Sequence, residues 1–187
     1  MLKVRQGDKK AFAQIYGKLK KPIMSYIFGF VLNHGVAEDL TQEVFLKVYR
    51  VRETYEPTAR FSTWLWTVAH NTVIDHLRKK QDLLADDLFH DEAEPKSPSI
   101  ELIQSELSDS EAALIENARK ELVQDCLSRL SPSQKDALQL RIFSDLTYEE
   151  IATTLQVSVT SVKTLLYRAK QGILKCLNKK ESGDERA

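Results

Sequence analysis

Apolar residues recur three and four positions apart along most of this 187-residue chain. That spacing predicts an all-α fold. Phe12, Ile15, Tyr16, Leu19, Ile23, Tyr26, Ile27 and Phe30 mark a first long helix over Ala11–Leu32, with Pro22 inside it as a point of kinking or interruption. Asn33–Gly35 ends it, Gly35 being suited to a left-handed C-terminal position. A second helix, Val36–Arg52, carries an apolar stripe of Leu40, Val44, Phe45, Val48 and Val51, with Glu38 and Asp39 in its first turn. Asp39, Gln42, Glu43 and Lys47 lie on or near its polar side, which reads first as a solvated face, with a protein-docking face as the sharper alternative. Pro57 breaks the connector Glu53–Arg60. A third helix, Phe61–Lys80, then turns Leu65, Ala69, Thr72, Val73 and Leu77 toward a core.

The pattern fades over Gln81–Ile100, a linker rich in Asp, Glu, Pro and Ser, and leaves only weak helix around Ser99–Glu116. It returns at Arg119–Leu130 and Gln134–Phe143. Ser131 caps the latter, Pro132 suits its first position, and Gln134 completes a reciprocal cap. Thr147 and Glu150 form the same device before Ile151, Ala152 and Leu155. Gln156–Ser158 reads as a turn, after which Val162, Leu166, Ala169 and Ile173 share one side of another helix. Two short helices, a tight turn and the small Ala152 where they cross make a helix-turn-helix pattern. The second helix leaves Thr160, Ser161, Lys163, Thr164, Tyr167, Arg168 and Lys170 on other faces, as a helix in a DNA major groove requires. A small helical hairpin with a solvated polar face has the same periodicity.

Charge sharpens this division. The formal net charge is zero, with 27 basic and 27 acidic residues. Residues 1–80 hold 14 basic and 7 acidic residues, residues 81–118 hold 1 and 11, and residues 119–187 hold 12 and 9. Two basic blocks thus flank an acidic one, a distribution compatible with nucleic acid despite the neutral sum. The acidity of the middle block reads as solvated linker, or as a segment that transiently occupies a positively charged channel.

Candidate chemistry is non-catalytic. Asp39 and Glu43 share a helix face and Asp75 adjoins His76, yet no convergent metal or acid–base set is visible. The four histidines do not cluster with Cys126 and Cys176, so no metal or cofactor is expected. Two thiols imply no disulfide framework, and Cys126, among Leu122, Val123, Leu127 and Leu130, reads as a small buried hydrophobe. No apolar run of membrane-spanning length and no signal-peptide core is present, so a cytoplasmic protein without membrane insertion is expected. Phe61, Trp64 and Trp66 cannot all share one inward stripe, and His70, Asn71, His76, Arg78, Lys79 and Lys80 follow them. Unstacked bases need such a set, namely a stacking platform, edge readers and phosphate neutralisers. Two ordinary core tryptophans would give the same composition.

Three blocks together resemble the sigma-70 family of bacterial RNA polymerase factors, in its extracytoplasmic function (ECF) group. AEDLTQEVFLKVYR at Ala37–Arg50 is similar to region 2.2, and FSTWLWTVAHNTVIDHLRKK at Phe61–Lys80 to regions 2.3 and 2.4. LSPSQKDALQLRIFSDLTYEEIATTLQVSVTSVKTLLYRAK at Leu130–Lys170 is similar to region 4. The resemblance implies two helical domains, 1–82 and 118–180, an acidic linker at 83–117 and a frayed tail at 181–187. It implies a subunit that gives core RNA polymerase its promoter specificity. Asp39, Gln42, Glu43 and Phe45 would meet the clamp helices of the largest catalytic subunit. Tyr55, Arg60, Phe61, Trp64, His70, Asn71, Arg78, Lys79 and Lys80 would recognise and melt the −10 element, Tyr55–Arg60 walling a base pocket. Thr160, Ser161, Lys163, Thr164, Tyr167 and Arg168 would read the −35 element, while the same domain touches the polymerase flap. The resemblance further implies an anti-sigma partner, which could hold the protein near the membrane, and association with the nucleoid when active. Gln156 and Thr160 stand where the family often has Gly, and Leu165 where it often has Arg. An ordinary helix-turn-helix regulator, binding duplex DNA without polymerase, is the alternative.

Overall fold

A computed structural model describes residues 1–58, 60–87 and 111–184. They form two compact units, one built on the described residues up to 87 and the other on most of 111–184. Every regular element among the described residues is an α-helix.

The first unit contains α1 (Leu2–Arg5), α2 (Lys9–Val31), α3 (His34–Arg50) and α4 (Phe61–Asp87). The helix α2 runs through Pro22 without a break and starts at Asp8, whose carboxylate accepts from the Ala11 amide at 3.0 Å. Its end differs from the expectation for Gly35. The left-handed residue is Leu32 (φ 53°), and Asn33 already caps α3 by accepting from the Val36 amide at 2.9 Å. Gly35 therefore lies inside α3, and Glu38 and Asp39 fall beyond its first turn.

The apolar stripes meet as their spacing requires. Ile23, Tyr26 and Ile27 of α2 are buried with Leu40, Val44, Phe45 and Val48 of α3 and Leu65, Trp66, Ala69 and Val73 of α4. Trp66 is 2% exposed and meets the edge of Tyr26 at 5.4 Å between centroids. Such an aromatic pair contributes about 0.5–1.5 kcal/mol beyond its area burial. The two tryptophans thus separate, with Trp66 in the core and Trp64 only half-buried. The helix α4 also continues past Lys80 to Asp87, into the stretch read as linker.

The second unit contains α5 (Glu111–Ser128), α6 (Pro132–Phe143), α7 (Tyr148–Leu155) and α8 (Val159–Asp184). Both sequence-predicted capping boxes are present. The Ser131 amide donates to Gln134 Oε1 at 3.3 Å and the Gln134 amide to Ser131 Oγ at 3.4 Å. The Thr147 amide donates to Glu150 Oε2 at 2.9 Å, and the Glu150 amide to Thr147 Oγ1 at 3.3 Å. Each such cap is worth about 1 kcal/mol. Gln156 closes α7 in the left-handed region (φ 55°), where the family resemblance anticipates glycine. The weak helix expected around 99–116 is represented by the start of α5; residues 99–110 lie outside the described ones. The helix α8 continues to Asp184, through most of the expected tail.

Cys126 is buried, as expected of a small hydrophobe, but it is not a free thiol. It is disulfide-bonded to Cys176, 50 residues on. The two cysteines lie on α5 and α8, and only the packing of those helices brings them together, so their sequence distance conceals the pairing.

Candidate nucleic-acid interface

In the first unit, the connector after α3 folds back on α4. The Arg5 guanidinium donates to the Tyr55 carbonyl at 3.2 Å, tying the connector to the N-terminus. Tyr55 is 6% exposed, and its ring lies 5.1 Å from Trp64 and 6.1 Å from Phe61. Phe61 and Trp64 are 5.9 Å apart. Tyr55 and Trp64 border a concavity of about 490 Å³, lined among others by Lys47, Glu56, Asn71 and Thr72, with Phe61 packed against both rings outside its lining. Its size is that of a small-molecule site, about 300–1,000 Å³.

The polar groups in this concavity are held in place. Lys47 Nζ donates to Thr72 Oγ1 at 3.0 Å and pairs with Glu43 at 2.8 Å, while Thr72 Oγ1 donates to the Val68 carbonyl at 2.9 Å. Asn71 is exposed at the rim, with a donor and an acceptor on one amide. An aromatic surface, an amide and an ammonium thus converge, the set a base needs for stacking and edge recognition. The sequence pattern puts Lys47 on a polar side and Thr72 toward a core. Twenty-five positions separate them, and only the docking of α3 on α4 makes them neighbours.

The other sequence-predicted residues of this unit divide. His70 does not line the concavity; its Nδ1 lies 3.3 Å from the hydroxyl of the buried Tyr26. Arg60 is exposed on the connector. Arg78, Lys79 and Lys80 are exposed two turns along α4 from Asn71, and Arg78 pairs with Asp75 at 3.1 Å.

On α3, Asp39, Gln42 and Glu43 are exposed on one face, joined by Leu46, an exposed apolar residue that the sequence reading does not single out. Phe45 corrects the expectation. It is 3% exposed and packs against Tyr16 at 4.8 Å and Phe12 at 6.4 Å, so it braces this face from the core and presents no surface of its own. Nearby, Lys20 is held above the ordinary lysine value by its hydrogen bonds with Tyr16 and Glu38, the latter at 3.4 Å.

In the second unit, α7 and α8 form the helix-turn-helix. Ser158 caps α8 by accepting from the Ser161 amide at 3.1 Å, and its hydroxyl lies 2.8 Å from that of Ser161. Ser161 is thus half-buried in the cap, whereas Thr160, Lys163, Thr164, Tyr167 and Arg168 are exposed. Val162 and Ala169 are fully buried on the opposite side. The Thr164 hydroxyl donates to the Thr160 carbonyl at 2.9 Å. Leu165 is half-buried, where an arginine would have to reach outward along the helix. Glu149, in the first turn of α7, is held below the ordinary glutamate value by hydrogen bonds from its own backbone amide and the Thr147 hydroxyl, with Lys163 adding a smaller effect.

Among the described residues, no group of three or more His, Cys, Asp or Glu side chains could hold a metal ion, and no helix is long and apolar enough to cross a membrane.

Comparison with known proteins places these surfaces in a family. Residues 15–82 match the family model of sigma-70 region 2, and residues 120–172 that of sigma-70 region 4. The chain is 32% identical over 181 residues to the RNA polymerase sigma-H factor of Pseudomonas aeruginosa, covering 94% of this chain and 90% of that protein. It is 27% identical over 177 residues to the ECF RNA polymerase sigma factor SigW of Bacillus subtilis, covering 93% and 92%. Its fold is similar to that of CnrH, solved in complex with the cytosolic domain of CnrY (TM-score 0.67, 19% identity, 95% and 94% covered). It is similar also to RpoE of Bartonella quintana, solved with the anti-sigma factor NepR (TM-score 0.67, 20% identity, 90% and 98% covered). With both family regions in order along one chain of helices, this protein belongs to the ECF group of the sigma-70 family, the non-catalytic subunits that direct RNA polymerase to promoters through their −10 and −35 elements.

Proposed function

We propose that the concavity between the Tyr55 connector and α4 receives a base turned out of the non-template strand at the −10 element. The observation that carries this is the clustering of Trp64, Tyr55 and Phe61 beside Asn71 and the fixed Lys47 ammonium. Stacking on an aromatic side chain is worth about 1–3 kcal/mol per base. Capture therefore lowers the free energy of the unpaired state, and no covalent step follows. Arg78, Lys79 and Lys80 neutralise phosphates of the same strand. His70 acts from behind, its ring oriented by Tyr26.

The exposed α3 face of Asp39, Gln42, Glu43 and Leu46 docks on the clamp helices of core polymerase. On α8, Thr160, Lys163, Thr164, Tyr167 and Arg168 face the −35 major groove, where base edges distinguish all four pairs. Ser161 fixes the start of that helix. Residues 1–82 and 118–180 serve as the −10 and −35 domains; α4 and α5 reach from them into the connecting stretch 83–117, and α8 reaches into the tail 181–187. The solved complex of RpoE with the anti-sigma factor NepR supports an anti-sigma partner for this chain too. In this reading the protein works in the cytoplasm, on the nucleoid when active, and the partner withholds it from polymerase.

The test combines the protein with core RNA polymerase and a promoter library and maps unpaired thymines in the bound DNA. Core-dependent selection with a melted segment near −10 is the expected result. Selection of intact duplex without core overturns the proposal. Reversing the charges at Arg78, Lys79 and Lys80 is expected to weaken promoter opening more than core binding. It should also flatten the salt dependence of opening by about two units in log–log slope for three lost phosphate contacts. Equal losses in opening and core binding would show that these cations do not act on DNA.

A further inference from the structure

Cys126 of α5 and Cys176 of α8 are joined with their Cα atoms 5.7 Å apart. Four residues past Cys126, in the turn after α5, Leu130 meets Gly172, one turn back along α8. A Cβ on residue 172 would stand 3.0 Å from Leu130 Cδ2, so glycine permits this approach. The two contacts are four residues apart in both segments and run in opposite senses, so the end of α5 and the turn after it lie antiparallel along α8 as one seam. The helix α8 is continuous from Val159 to Asp184, so this seam fastens the rear of the helix whose front exposes Lys163, Tyr167 and Arg168. Both cysteines are buried, Cys126 at 1% and Cys176 at 6% exposure.

A polymerase subunit in the cytoplasm works among thiol pools that keep cysteines reduced, and disulfides there are typically transient and redox-sensing. A bond at this seam is therefore placed to alternate between two states. We infer that Cys126–Cys176 is a redox clasp that sets how firmly α8 is held for −35 recognition, an inference that rests on α8 being the −35 reader. In the oxidising direction, one thiolate attacks a hydroperoxide such as H₂O₂. The O–O bond breaks, giving a sulfenic acid and releasing hydroxide, which is protonated to water. The second thiolate then attacks that sulfur, the S–S bond forms, and a second water leaves, so two electrons pass from sulfur to oxygen. In the reducing direction, a dithiol reductant attacks Sγ of Cys176, the less buried of the two residues, and Cys126 departs as thiolate. The second sulfur of the reductant then displaces Cys176, and two electrons enter the chain as the reductant becomes a disulfide. Closing a loop of this length limits the unfolded ensemble, so the oxidised form is the more stable one.

The experiment uses the full chain, wild type and Cys126→Ala, each treated with H₂O₂ or with dithiothreitol. Thiol counting, thermal unfolding and, with core polymerase, binding to a promoter with an intact or scrambled −35 element are measured. Wild type should show two free thiols after dithiothreitol and none after mild H₂O₂. Its second unit should unfold roughly 10 °C lower when reduced. Discrimination between intact and scrambled −35 elements should fall several-fold on reduction. Cys126→Ala should show neither redox dependence, and Cys126→Ser gives the same readout if the alanine chain does not fold. Wild-type thiols that stay free under H₂O₂, or unfolding that ignores redox state, overturn the clasp. Redox-dependent unfolding with unchanged −35 discrimination overturns its regulatory role. Absence of −35 discrimination in both states instead removes α8 as the reader, and the thiol counts tell the two failures apart.

Discussion

In the first unit the aromatic side chains are recessed. Tyr55 is buried behind Trp64, and the polar groups around them are locked by Glu43, Thr72 and the Val68 carbonyl. In the second unit Tyr167 is 66% exposed on a convex helix, in a row with Lys163, Thr164 and Arg168. A recess accepts a group only after that group has left the duplex. A convex helix reads base edges while the duplex stays paired. Under the proposed function, strand opening is therefore confined to one unit, and the other supplies position. The units also differ in how they are held. The first relies on large interlocked rings, Tyr26 on Trp66 and Tyr16 on Phe45. The second relies on capping boxes, small residues such as Ala152 and Ala169, and one covalent bond.

The sharpest test of this contrast is Trp66→Ala. Emptying the Trp66 site is expected to destabilise the first unit by about 3–5 kcal/mol, read from urea unfolding, and to leave the transition of the second unit in place. A common shift of both transitions would break the contrast. Next in size, Trp64→Ala should lower promoter opening by about 1–3 kcal/mol, while −35 binding stays unchanged and Trp64→Phe retains most of the activity. Thymine reactivity at the −10 element on a fully intact promoter measures this. Full opening by Trp64→Ala would show that the recess is not where the base goes. The smallest effect is a gain. Gln156→Gly relieves a left-handed non-glycine residue and should stabilise the second unit by about 1 kcal/mol, seen as a raised urea midpoint with unchanged slope.

Much of this was legible because the information is local. The capping boxes at Ser131 and Thr147 need only residues three apart, and the stripe Val162–Ala169 needs only helical periodicity. The division between Trp64 and Trp66 follows from a two-residue offset, which turns side chains to different sides of a helix, but which of them faced inward depended on where Tyr26 packed. What escaped is what tertiary contact creates. Lys47 enters the recess only because α3 lies on α4, and Cys126 finds Cys176 only because α5 lies on α8. The left-handed residue between α2 and α3 was misassigned to Gly35 because Asn33 starts α3 immediately and leaves Leu32 to make the turn. Phe45 belongs to the apolar stripe by periodicity and to the docking face only by the family resemblance, and its ring lies on the core side, where periodicity puts it.

The unbroken span of α4, from Phe61 to Asp87, carries one more consequence. Asn71 at the recess and Lys79 beyond it are eight residues apart, about 12 Å along a helix that rises 1.5 Å per residue. That is on the order of three to four steps along a DNA strand at about 3.4 Å each. A helix does not stretch, so α4 acts as a gauge. Under the proposed function it meters the offset between the base that is taken and the stretch of strand that is gripped, whatever the intervening sequence. A single residue inserted between Asn71 and Lys79 would swing the three cations by about 100° around the axis and leave the gauge pointing off the strand.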